Sequence, residues 1–210
     1  MTTKRSNTKD STRQLTILGL MVGVLLLMAY TPLGYLNIGP LAISFNMIPV
    51  AICAITLGPV GGAIAGAVFG LTSFLQCIGV GGVSAMGAIL FDINPVLAFL
   101  QRFIPRTLDG FLLGYIFSFM RKCTKNNVSI SSAVTGFFAA FLNTAFFMSA
   151  LLLMFGNTEY IKGLVGGKNV IAFICGFVGI NAVFEMLAST IVTGAVGFAL
   201  YKARVITFKK

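Results

Sequence analysis

Six polar side chains stand where an apolar chain has least use for them. Arg102, Arg106 and Asp109 share one hydrophobic run, with Asp92 just ahead of it; Asn143 lies in the next run, and Asn181 and Glu185 in the last. A charge inside such a run is costly and faces a cavity, a partner or another charge. A guanidinium presents a planar fork of donors that fits a carboxylate or phosphate, while amides and carboxylates can hydrogen-bond hydroxyls and amides. The chemistry on offer is therefore recognition of a small polar molecule rather than bond breaking. The chain has no histidine to act as a base, and no HExxH or GxSxG sequence, so no enzyme is expected. It also has no GxxxxGK[ST] loop, so any ATP use must come from another chain. Cys53, Cys77, Cys123 and Cys175 form no CxxC or other ligand spacing and read as small packed hydrophobes. No metal or cofactor is expected.

The depth of these residues follows from helical rise. Arg106 precedes the basic cluster at Arg121 by 15 residues, Glu185 precedes Lys202 by 17, and Asn143 follows Ser129 by 14. At about 1.5 Å per residue all three lie roughly 21–26 Å from the inner boundary, in one layer displaced toward the outer face. Arg102 is one turn further out on the face of Arg106, and Asn181 one turn before Glu185. Two readings stand side by side. Arg106 and Glu185 neutralise each other between helices as a buried pair, or the layer floors an outward-facing pocket in which an arginine takes an anionic group. Asp109 is a second candidate to balance one arginine.

The elements that must hold this layer are membrane helices. The 210 residues are 57% hydrophobic and 10% charged, with mean hydropathy +0.96; soluble domains carry about 25% charged residues, so too little polar surface remains to cover a water-soluble globule. Apolar runs place spans at about 15–33, 46–57, 60–78, 94–120, 129–155 and 169–201. The second is short for a crossing. Pro32 and Gly34 end the first span, residues 36–45 read as an outer loop, Gly58-Pro59 as a tight turn, and residues 79–87 as an irregular glycine-rich stretch. The first run has the basic flank of a signal peptide but is too long and lacks a cleavage site, so it reads as a retained span.

The net charge of +10 tests this count. Lys4, Arg5, Lys9 and Arg13 precede span one. Arg121, Lys122 and Lys125 follow span four, and Lys202, Arg204, Lys209 and Lys210 end the chain. Six crossings with a cytoplasmic amino end put all three clusters on the cytoplasmic side, as short basic loops require; removing one crossing would put a cluster outside. Lys162 and Lys168 fall outside, partly offset by Glu159. The fold class is therefore an all-α membrane protein, a six-transmembrane-helix bundle with both termini cytoplasmic. Residues 1–14 form a basic tail, 15–202 the helical domain and 203–210 a second basic tail. The basic clusters face anionic membrane lipid, not nucleic acid.

Glycines repeat every fourth residue in two spans: Gly19 and Gly23 in the first, and Gly62, Gly66 and Gly70 in the third. Such stripes let helix backbones approach closely in lipid. The third-span stripe reads as packing within the chain. The first-span pair reads equally as internal packing or as a docking face for a partner subunit.

The run Ile48-Pro49-Val50, then Leu57-Gly58-Pro59-Val60-Gly61-Gly62, then Gly66-x-x-Phe69-Gly70-Leu71-x-Ser73, resembles the substrate-binding S components of energy-coupling factor (ECF) vitamin transporters. Asn94-Pro95, Pro105-Arg106 and Gly110 extend the likeness, which covers nearly the whole chain in span count and loop placement. The resemblance implies a six-helix subunit in a bacterial plasma membrane that captures a vitamin from outside. It delivers that vitamin with a transmembrane coupling protein and two cytoplasmic ATPases. It further implies a pocket built from the loops after spans one, three and five and the outer halves of spans four to six. Arg102, Arg106, Asn143, Asn181 and Glu185 would contribute to that pocket. The family's AxxxA docking face would fall on Gly19 and Gly23. Pantothenate is the leading ligand within this likeness and riboflavin the next. The pantothenate-like pattern has a histidine just before Ile-Pro, where this chain has Asn46-Met47, which adds Asn46 to the candidate site. The competing functions are a stand-alone proton-coupled transporter using Glu185 or Asp109, and a non-transport membrane scaffold.

Overall fold

The computed structural model describes residues 3–31, 34–37, 42–82, 84–167 and 169–206. Pro32, Lys168, Lys209 and Lys210, each named above, lie outside them, as do residues 38–41 of the expected outer loop. In chain order the elements are α1 (Thr3–Tyr30), β1 (Tyr35–Asn37), β2 (Ala42–Ser44) and α2 (Met47–Leu75). A single 3-10 turn (Gln76–Ile78) leads to α3 (Ala85–Ile93), α4 (Pro95–Cys123), α5 (Val128–Phe155), α6 (Glu159–Val165) and α7 (Val170–Lys202).

Local chemistry starts these helices where they start. Asn94 accepts hydrogen bonds from the Val96 and Leu97 amides, with Pro95 at the first helical position. Asn127, Thr158 and Ser84 cap α5, α6 and α3 in the same way. Each cap satisfies amides that the first turn leaves without helical partners.

The expected turn at Gly58-Pro59 is a full reversal. Gly58 has φ 76° and ψ −165°, a backbone conformation open to glycine, and Pro59 follows with no amide to continue the ladder. Ala54 and Gly62 would lie about 12 Å apart along an unbroken helix. Instead a Cβ on Gly62 would lie 2.8 Å from that of Ala54. The half before Gly58 is about 16 Å long, roughly half a hydrocarbon core.

Among the described residues four stretches are long and apolar enough to cross a membrane: Ser11–Tyr30, Met47–Ile78 with its reversal, Val128–Phe155 and Asn181–Lys202. α4 matches them in length, but Arg102, Arg106 and Asp109 interrupt its apolar character. The chain is thus helical at membrane length, as expected, with three departures in its connections. The loop expected at 36–45 holds an antiparallel strand pair, with Tyr35 opposite Ser44 and Asn37 opposite Ala42. The stretch expected to be irregular to residue 87 becomes helical at Ala85, and the region around Glu159 forms α6. α1 begins at Thr3, well ahead of the apolar run.

Small residues hold two helix pairs together. Along α2 and α4, a Cβ on Gly62 would collide with the Gly110 carbonyl, one on Gly66 with the Arg106 carbonyl, and one on Gly70 would come within 2.8 Å of the Phe103 Cα. Along α5 and α7, a Cβ on Gly136 would collide with the Ser189 carbonyl, and one on Gly197 with the Ser132 hydroxyl. Close backbone approach of this kind supplies the dispersion contacts that hold helices in lipid. The core between the pairs includes Leu25, Met47, Val50, Phe69, Leu113 and Ala139.

The described residues of the basic clusters gather at one end. Ile55, Phe117, Val128 and Ile206 pack together there, bringing the α2 reversal, the α4–α5 connection and the chain end to one level. Arg13 of α1 donates to the Arg204 carbonyl across 191 residues of sequence. At the opposite end α3 and α6 close over α4, α5 and α7 through Met86, Leu90, Met148, Phe155, Ile161 and Phe173.

Candidate functional site

The site begins with the glycine seam. Because Gly66 and Gly70 carry no side chain, the α4 backbone from Arg102 to Arg106 lies directly on α2. Both guanidiniums then fold into the bundle and are buried. The Arg102 Nη1 donates to the Ser73 hydroxyl of α2 at 3.3 Å and its Nη2 to Ser84 at 3.4 Å. Ser84 also caps α3, so one hydroxyl ties that helix start to the site. The Arg106 Nη1 donates to the Arg102 carbonyl one turn earlier, at 3.0 Å.

Two aromatic faces carry these cations. The Arg106 Cζ lies 4.7 Å from the Phe69 ring centroid and 5.3 Å from that of Phe147; the Arg102 Cζ lies 5.2 Å from Phe147. One ring of α5 therefore faces two like-charged groups that also repel each other. The attraction of a ring face for a buried cation is about 2 kcal/mol, small beside the cost of desolvating a charge. An arrangement that concentrates two positive charges at one ring suits an anion.

Glu185 approaches from α7, and the Ser44 amide at the end of β2 donates to its Oε1 at 2.6 Å. The strand pair is thereby fastened to the last helix. Asn46 is fully buried next to it, its Nδ2 donating to the Ser44 hydroxyl at 3.5 Å. Its Oδ1 has no hydrogen-bond partner among the described residues. Asp109, three residues after Arg106 on α4, is fully buried, and neither of its oxygens has a hydrogen-bond partner among the described residues.

Of the residues singled out in the sequence, Arg102 and Arg106 are joined by one set of these contacts, and Glu185 and Asn46, through Ser44, by another. Asn143 is buried one turn before Phe147 on the same face of α5, and its Oδ1 has no partner among the described residues. Asn181 is half-buried one turn before Glu185. Gly19 and Gly23 lie elsewhere, on α1, where no atom comes within 4 Å of a Cβ built on either.

Sequence reasoning missed Phe147, Ser84 and Ser44 and named Phe69 and Ser73 only within the family motif, because phenylalanine and serine in an apolar chain give no sign of a site until a charged group lies against them. Gln101 was also missed. It is fully buried, and neither side-chain amide atom has a partner among the described residues. Its signal was present: an uncharged amide four residues before Pro105, whose missing N–H leaves the Gln101 carbonyl without its helical donor. Among the described residues no group of three or more acidic, cysteine or histidine side chains is placed to hold a metal ion.

Comparison with known proteins places this geometry in a family context. A sequence model of the family described as "ECF transporter, substrate-specific component" matches residues 13–197. A pantothenate transporter of Leuconostoc mesenteroides is 30% identical over 202 residues, covering 91% of this chain and 93% of that protein. A pantothenic acid transporter of Lactococcus lactis is 25% identical over 208 residues, covering 93% of this chain and 97% of that protein.

Proposed function

This chain belongs to the substrate-specific components of ECF transporters, and from that membership we propose that it captures pantothenate at the outer face of the bacterial cell membrane. The observation that carries the reading is the buried pair of guanidiniums sharing the Phe147 face. A carboxylate entering between them replaces repulsion with two charge-assisted contacts. Asn46, Asn143, Asn181 and Gln101 supply amide groups for the uncharged, hydrogen-bonding remainder of such a ligand. Resemblance over nearly the full length of two pantothenate transporters supports the same ligand.

In this reading the chain crosses the membrane six times, through α1, the first half of α2 together with the strand pair that leads into it, the second half of α2, α4, α5 and α7. Both ends lie in the cytoplasm. The meeting of Arg13 with Arg204 near the α4–α5 connection supports that sidedness, because it gathers the basic clusters at one end. A transmembrane coupling protein and two cytoplasmic ATPases drive delivery. The coupling protein docks on the open Gly19/Gly23 face of α1, where a partner helix can approach the backbone as α4 approaches α2.

Equilibrium binding to the purified protein in detergent tests the ligand. Wild type binds pantothenate, and Arg106→Ala loses on the order of a hundredfold or more in affinity while remaining folded. A wild-type protein that ignores pantothenate but co-purifies with another small molecule, identified by native mass spectrometry, overturns the assignment. Uptake into proteoliposomes by this chain alone, driven by a proton gradient, overturns the dependence on ATPase partners.

A further inference from the structure

Gln101 carries a side-chain amide that the fold leaves unused. It is fully buried on α4, and neither its Nε2 nor its Oε1 has a hydrogen-bond partner among the described residues. Two other buried amides are each engaged: Asn46 donates through Nδ2 to the Ser44 hydroxyl, and Gln76 through Nε2 to the Ala29 carbonyl. Holding a donor and an acceptor away from water with neither paired is costly, because each forfeits its hydrogen bond to solvent. An apolar residue of the same shape would carry no such cost. Glutamine at this position suits a partner that arrives from outside the chain.

Its place is set by the register of α4 against α5, which the short connection at 124–127 makes antiparallel. Ala98 of α4 belongs to one apolar cluster with Met148 and Leu151 of α5. One turn further in along both helices, the Arg102 Cζ lies 5.2 Å from the Phe147 ring centroid. Gln101 stands in line with Ala98 and Pro105 on α4, as the i−3 and i+4 spacings require, and all three are buried. The amide therefore lies at the level of Phe147, beside the two guanidiniums that face that ring.

We infer that Gln101 reads a secondary amide in the ligand, a short step from the carboxylate taken by Arg102 and Arg106, and so makes the site specific for amide-bearing monocarboxylates. This rests on the carboxylate reading proposed above. A secondary amide offers one N–H and one carbonyl oxygen, the complement of the Gln101 Oε1 and Nε2. Pantothenate presents these groups in that order: a carboxylate, two methylene groups, then the amide. Selectivity follows from what other ligands leave behind. A carboxylate on a plain hydrocarbon chain fills the same space but leaves both amide atoms of Gln101 unpaired, and a site built to hydrogen-bond its ligand rejects an analogue lacking the matching group.

Equilibrium binding of pantothenate and of its ketone isostere, in which CH2 replaces the amide N–H, tests this on the purified protein in detergent. Wild type is compared with Gln101→Met, a substitution that keeps the length and volume of the side chain. Wild type binds the isostere about tenfold to a hundredfold more weakly than pantothenate. Gln101→Met binds pantothenate about tenfold or more weakly than wild type does, binds the isostere at least as tightly as wild type, and no longer prefers the amide. Without ligand, the variant melts at or above the wild-type temperature, because an unpaired buried amide has been removed; a glutamine that served the fold would leave it less stable. Equal binding of the two ligands by wild type overturns the inference alone. So does a variant that keeps the amide preference, weakens both ligands alike or fails to fold. Absence of pantothenate binding in the wild type removes the functional reading and this inference with it.

Discussion

Two glycine stripes with the same spacing meet opposite fates in this molecule. Gly62, Gly66 and Gly70 of α2 are sealed against the α4 backbone, with no room for a methyl group. Gly19 and Gly23 of α1 face open space, and their helix exposes Leu15, Leu20 and Leu27 around them. The sealed stripe lowers the arginine-bearing turn of α4 onto Phe69 and so belongs to the binding site as much as to the fold. A Cβ on either glycine of the open stripe would meet nothing beyond its own helix among the described residues. Small-residue spacing thus states that a helix backbone can be approached closely, and the rest of the molecule decides whether its own chain or another does so.

The largest break in this comparison comes from the sealed stripe. Gly66→Leu forces α2 away from the Arg106 carbonyl and should cost about 3 kcal/mol or more, read as a collapse of thermal stability in detergent together with lost ligand binding. Gly136→Ala at the α5–α7 seam meets the Ser189 carbonyl with a single methyl group; a loss of about 1–3 kcal/mol is expected, visible as a lower melting temperature. Gly19→Leu should change stability by no more than about 0.5 kcal/mol and leave pantothenate affinity at the wild-type value. The same variant should lower ATP-dependent uptake in the assembled transporter by about tenfold or more, the effect of about 1.4 kcal/mol at a docking interface. If Gly19→Leu destabilises the isolated chain as Gly66→Leu does, the two stripes are alike and the comparison fails.

A second contrast lies between the two carboxylates. Among the described residues Glu185 is supplied with an amide donor and Asp109 is not, and that donor comes from a strand pair 141 residues away in sequence. The depth count set Glu185 and Arg106 at one level from the regular rise of two long helices alone. It could not show that Ser44 fastens the strand pair to α7, since three-residue strands leave no periodic pattern to read. α3 and α6 were missed for a related reason. They are 9 and 7 residues long, too short for a hydrophobic repeat to stand out beside glycine-rich connections.

The amino-acid sequence by itself determined that long apolar helices carry this chain and that the chain breaks at Gly58-Pro59, and it assigned Arg102, Arg106 and Glu185 similar depths along their own helices. Each of these rests on composition, on a residue with restricted backbone geometry, or on a fixed rise per residue, all of which are local. Only the tertiary structure decided which glycine stripe is covered. It also decided that one phenylalanine faces both guanidiniums, and that Asp109 and Gln101 are buried without hydrogen-bond partners among the described residues. Those features depend on which helices become neighbours and how closely their backbones meet, and spacing along one helix carries no record of the atoms that will lie across from it.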